Sequence, residues 1–249
     1  MTAPGFAATA LAMGRFRMVR LRRGRALWFG AGLTALVVLA GLAARWGGDA
    51  DPVSTFQAVT RVGFRRVLVL LVPFLFCATA LSEEVEGRTL VYLFTRPAPR
   101  GAMLLGKWAA GVLASAAILS LGVVVLWAGC GAGSPGLLGR AIAAMTLGSA
   151  CYGAIYLLFG TILVEAPYLL SLLYVGLVEF GLGAVPGVLR LASTSHHLGN
   201  ILGQRANDIL WLTTPTISGL SSAAIVLVVT GLFLFLAVLV GAGTEYRTR

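Results

Sequence analysis

Few residues of this 249-residue chain have chemistry to offer a substrate, and most of those stand in apolar surroundings. Gly101-Ala-Met-Leu-Leu-Gly-Lys107 has the GxxxxGK spacing of a phosphate loop, yet Trp108 occupies the position where a magnesium-binding Ser or Thr is needed. A phosphate cradle also follows a buried strand and exposes its amides, whereas this segment opens a long apolar run. The match is a coincidence, and the chain is not expected to hydrolyse a nucleotide by itself. Glu179 lies within another apolar run, where the cost of an ionisable group makes a functional role the default. It either lines a transport path or hydrogen-bonds across a helix interface. His196 and His197 are adjacent and face different sides of a helix, and no Cys or acid follows at a ligand spacing, so no metal site is expected. Cys77, Cys130 and Cys151 fall in or beside apolar runs with no paired spacing, as small buried side chains do. No nucleophile, base and metal converge, which argues against an intramembrane enzyme.

The surroundings of these residues explain their isolation. The chain is 58% hydrophobic and 11% charged, with a mean hydropathy of +0.91, whereas roughly a quarter of residues are charged in soluble domains. Six apolar runs, 26–44, 67–82, 103–130, 141–164, 168–189 and 220–243, approach or exceed the roughly 20 residues that cross a bilayer as a helix. The expected fold is all-α: one polytopic membrane domain over 1–249 with six transmembrane helices, and no separate soluble catalytic domain. The net charge of +10 flanks the runs and forms no groove with interleaved aromatics, which suits anionic lipid headgroups and not nucleic acid.

Arg15, Arg17, Arg20, Arg22, Arg23 and Arg25 precede the first run with no acid among them. Positive flanks stay in the cytoplasm, so both termini are expected there, in a cell inner (plasma) membrane of bacterial type. The stretch 45–66, with Asp49, Asp51 and Pro52, is then an outer loop. The second run is short, with Arg65 and Arg66 snorkelling at its outer end and Pro73 kinking it. Glu165-Ala-Pro167 makes a tight inner hairpin with Pro in the next helix's first turn. The outer loop 190–220 contains apolar residues between polar ones, an interfacial or re-entrant helix with Trp211 at headgroup depth.

The inner loop between the second and third runs has its own pattern. Glu83, Glu84 and Glu86 stand where carboxylates favour a helix N-terminus, Leu90, Leu93 and Phe94 follow at helical spacing, and Pro97 and Pro99 stop it. A short cytoplasmic surface helix results, able to offer side chains to a soluble partner.

The order Glu84, Glu86, Gly87, Thr89, Leu90, Arg96, Pro97, Arg100, Gly106 and Lys107 resembles permeases of the type 2 ABC-transporter family. The layout does so too: a basic surface segment over 1–25, six spans and an elongated loop between the fifth and sixth. The resemblance implies that the loop 83–100, from Glu83 to Arg100, is a coupling helix docking into a separate ATPase, with the hairpin at Glu165 as a second contact. It implies two ATPase copies carrying ATP and Mg, no cofactor on this chain, and a second permease copy or paralogue around an export path. The basic segment would be an amphipathic surface helix, with an imperfect apolar stripe of Phe16, Met18, Val19 and Leu21. Glu179 is the residue expected on the translocation path. Two alternatives stand beside export: ATP-driven motion acting on an outer-face protein through 190–220, and ion-coupled transport using Glu179.

Overall fold

The computed structural model describes residues 5–48, 51–80, 99–183, 185, 188–204 and 217–243. Among them every regular element is helical. Helix α1 spans Phe6–Arg23 and α2 spans Arg25–Trp46, divided by extended Gly24. Then α3, Pro52–Val59, passes through a π-helical stretch, Thr60–Leu68, into α4, Val69–Cys77. Helices α5, Arg100–Cys130, and α6, Pro135–Ile162, follow. Next come α7, Pro167–Tyr174, with a π-helical continuation, Val175–Leu182, and a 3-10 turn, Val188–Ala192. The last two are α8, Thr194–Ile201, and α9, Gly219–Gly243.

Helices α2, α5, α6 and α9 are long and apolar enough to cross a membrane. Helices α2 and α5 run opposite to α6 and α9, which gives the bundle two ends. The proximal end holds α1 and the starts of α2 and α5; the distal end holds the α5 to α6 turn and the starts of α3 and α9. Gly131 closes α5 in the left-handed conformation at φ 68°, which a glycine adopts without a Cβ penalty.

The outer-loop reading of 45–66 is corrected from Pro52 onward, where the chain is helical and continuous with the second apolar run. Asp51 caps it: its Oδ2 accepts from the Ser54 amide at 2.8 Å, and Pro52 takes the first helical position. Acid followed by proline reads as loop composition but is also a helix start. The π-helical stretch ends one turn before Pro73, so the rod changes hydrogen-bond register close to where it loses a donor. The fifth run also differs from its expected length, its helix ending at Leu182 instead of Leu189.

Helix α6 is the axis of the bundle. Tyr152, Ile155, Tyr156 and Met145 are fully covered, against Phe64, Leu68 and Phe76 of the α3–α4 rod and Leu119 and Leu126 of α5. Lipid is as apolar as a leucine side chain, so association depends on close packing and small contact residues. On α1 the expected stripe divides: Leu21 is buried and Met18 packs on the core, whereas Phe16 and Val19 are exposed. Helix α1 lies along the first turns of α5, where a Cβ on Gly106 would collide with the Ala10 carbonyl.

Candidate functional site

The described residues that flank the expected coupling region, Ala80 and Pro99, lie at the proximal end. Glu83, Glu84, Glu86, Gly87, Thr89, Leu90, Arg96 and Pro97 lie outside the described residues. Arg100 and Glu165 lie within them. Arg100 donates from Nη1 to the Ala242 carbonyl at 3.2 Å, closing the end of α9, and Glu165 is exposed beside Pro167.

The residues bounding the 81–98 segment are held by two cations that the sequence reading gave other roles. Arg17 Nη2 donates to the Phe76 carbonyl at 3.1 Å, and Lys107 Nζ donates to the Ala80 carbonyl at 3.1 Å. Both side chains are buried. Carbonyls at a helix C-terminus lack intrahelical donors and carry partial negative charge, so cations satisfy them. Lys107, the lysine of the false phosphate loop, therefore holds the end of α4 to α5, and Gly101 to Lys107 is helical as expected.

Glu179 is buried in the π-helical stretch after α7. Its Oε2 accepts from Ser193 Oγ at 2.7 Å and from the Ser195 amide at 3.1 Å; its Oε1 accepts from the Thr194 amide at 3.1 Å and Tyr174 Oη at 3.4 Å. Thr194 and Ser195 open α8, and the N-cap residue Ser193 supplies no cap of its own. The carboxylate caps α8 from another element, the placement a helix N-terminus favours for a negative charge. Of the two sequence readings for Glu179, a hydrogen bond across a helix interface describes its bonds, while its position borders a cavity.

Helix α8 enters the bundle. Thr194 Oγ1 lies 3.9 Å from Cys151 Sγ on α6, about 24 Å along that helix from Pro135 at 1.5 Å per residue. His197 Nε2 pairs with the Leu191 carbonyl at 3.0 Å, and Asn200 Nδ2 donates to Ser222 Oγ at 3.1 Å, joining α8 to α9. No group of three metal-binding side chains occurs among the described residues.

Between α8 and the two π-helical stretches lies a cavity of about 200 Å³, lined by Arg61, Arg65, Arg66, Glu179, Arg190 and His196 among others. Arg65 crosses the α8 backbone at Gly199, where a Cβ would meet its guanidinium, and Nη1 donates to the Ser195 carbonyl at 3.2 Å. Its Nε is buried without a hydrogen-bond partner. Sequence reasoning missed this cluster because it read 45–66 as loop and Arg65 and Arg66 as snorkelling. The available signal was the i, i+4 spacing of Arg61 and Arg65, informative only once the stretch is helical.

A sequence model of the family described as "ABC-2 family transporter protein" matches residues 18–183. No curated protein matches the chain. The match includes the proximal ends of α4 and α5, the 81–98 segment and Glu179; Arg190, His196, α8 and α9 lie beyond it.

Proposed function

This chain belongs to the ABC-2 family of transporter proteins, and from that membership we propose that it is the membrane-spanning permease subunit of an ATP-driven exporter whose ATPase is a separate chain. The family is a membrane subunit, and the chain is a multi-pass membrane protein. Six crossings are reached by adding to the four long helices the rods Pro52–Cys77 and Pro167–Leu182. The arginines of α1 and the start of α2 support a reading in which the proximal end faces the cytoplasm of a bacterial-type inner membrane.

The observation that carries the coupling mechanism is the fastening of the chain on both sides of the 81–98 segment. Lys107 joins the outgoing helix α5 to the Ala80 carbonyl of the incoming chain, and Arg17 joins α1 to the end of α4. A push on 83–100 by an ATPase then moves α1, α4 and α5 as one body. ATP and Mg belong to two ATPase copies, and a second permease copy or paralogue completes the path. Glu84, Glu86, Thr89 and Arg96 form the docking surface, with Glu165 as the second contact and Glu179 in the wall of the path. Work follows from the different stabilities of inward-open and closed arrangements, and no covalent chemistry is required of this chain. Ion coupling through Glu179 is the weaker reading, since its oxygens already cap α8.

The test is capture of a co-expressed candidate ATPase by the tagged chain in detergent. Stoichiometric capture is expected from the unaltered chain, falling at least tenfold for Glu84→Arg combined with Glu86→Arg. A chain that purifies folded and alone from every candidate ATPase overturns the reading.

A further inference from the structure

Four guanidinium groups, those of Arg61, Arg65, Arg66 and Arg190, surround the cavity, and Glu179 is the one carboxylate among its described lining residues. That carboxylate accepts from two amides, a serine hydroxyl and the Tyr174 hydroxyl, and among the described lining residues no second carboxylate faces the four cations. Like charges set this close together repel, and an anion between them relieves that repulsion. A second observation lies in the backbone. Both π-helical stretches among the described residues line this cavity: Thr60–Leu68 carries three of the arginines and Val175–Leu182 carries Glu179. Such turns are rare and collect at functional sites. Arg65 is held in advance by the Ser195 carbonyl and by the space that Gly199 leaves for it. Guanidinium forks match the oxygens of phosphate in paired hydrogen bonds.

We propose that this cavity binds a phosphate-type anion, with Arg61, Arg65, Arg66 and Arg190 as its ligands and Glu179 positioning α8 as its wall. At about 200 Å³ it is smaller than the roughly 300–1,000 Å³ of drug-sized sites, so it takes one anionic group and not a whole cargo molecule. The group is either a free anion or the phosphate of a lipid headgroup. The inference does not rest on the permease reading, and its test uses no ATPase.

The experiment has two arms on the full chain. In neutral detergent, inorganic phosphate is titrated against thermal unfolding, with chloride at equal ionic strength as the reference. In nanodiscs of phosphatidylglycerol and phosphatidylcholine in equal parts, the lipid retained after extraction is counted by native mass spectrometry. Arg61→Gln and Arg66→Gln are the variants, because both side chains are exposed and their loss leaves the bonds of α8 in place. Arg22→Gln combined with Arg23→Gln controls for charge removed elsewhere. Saturable stabilisation by phosphate, weakened about tenfold in each cavity variant, identifies a free-anion site. Selective retention of phosphatidylglycerol, lost in the cavity variants and kept in the control, identifies a headgroup site. Absence of both effects, or equal effects in cavity and control variants, overturns the proposal.

Discussion

The two ends of the bundle use most of their cations in different ways. At the proximal end Arg17, Lys107 and Arg100 each donate to a carbonyl of the chain near the end of a helix, at 3.1 to 3.2 Å. At the distal side four arginines border a cavity: Arg65 also donates to the Ser195 carbonyl, whereas Arg61 and Arg66 are exposed, and the carboxylate beside them is engaged by a helix N-terminus. A cation on helix carbonyls holds elements together, and its removal is a loss of stability. A cation at a cavity rim contributes to whatever enters, and its removal is a loss of binding. Identical residue types thus fall into separate roles according to the backbone they meet.

The largest expected effect breaks the proximal side. Gly106→Val drives a branched side chain into the Ala10 carbonyl and lifts α1 from α5, costing about 1–3 kcal/mol. Cys77, buried beside Phe76, should then react with a maleimide that leaves the unaltered chain untouched, while Cys151 stays protected. Unchanged protection of Cys77 would mean that α1 does not clamp this end.

Glu179→Ala tests the distal side with a somewhat smaller effect. It leaves Ser193 Oγ and the Thr194 and Ser195 amides without their acceptor, at about 1–3 kcal/mol. The reporter reverses: Cys151, beside Thr194, becomes reactive and Cys77 does not. Glu179→Gln keeps an acceptor oxygen and should recover about half of the loss in thermal melts. A Gln variant as unstable as the Ala variant would assign the contribution to charge alone.

The smallest effect sharpens the contrast. Arg61→Gln and Arg66→Gln should each change stability by less than about 0.5 kcal/mol, measured in the same melts without added anion. A larger loss would make these arginines structural and erase the difference between the two ends.

Much of the fold was legible in the residues. The runs that became α2, α5, α6 and α9 are long and apolar, and a backbone in hydrocarbon must satisfy its own hydrogen bonds. The start of α3 was hidden, because Asp51-Pro52 has the composition of a turn and only the Ser54 amide on Asp51 shows it to be a cap. The candidate site was half legible. Glu179 stood out as an acid among apolar residues, but its partners Ser193, Thr194 and Ser195 lie more than a dozen residues onward and only a folded α8 brings them back. Arg17 and Lys107 were legible as charges but not as caps, since a cap is defined by the distance between elements.

By itself the sequence determined that this chain is a multi-pass membrane protein, that the runs which became α2, α5, α6 and α9 are long and apolar enough to cross the bilayer, and that the GxxxxGK match opens one of those helices. Those properties follow from residue type and local spacing, which act over one or two helical turns. The tertiary structure decided that α1 rests on α5 at Gly106, that a glutamate caps a helix entering the bundle, and that four arginines share one cavity. Such meetings depend on how separate helices pack. Charges far apart along the chain acquire a common purpose only when the fold has closed the distance between them.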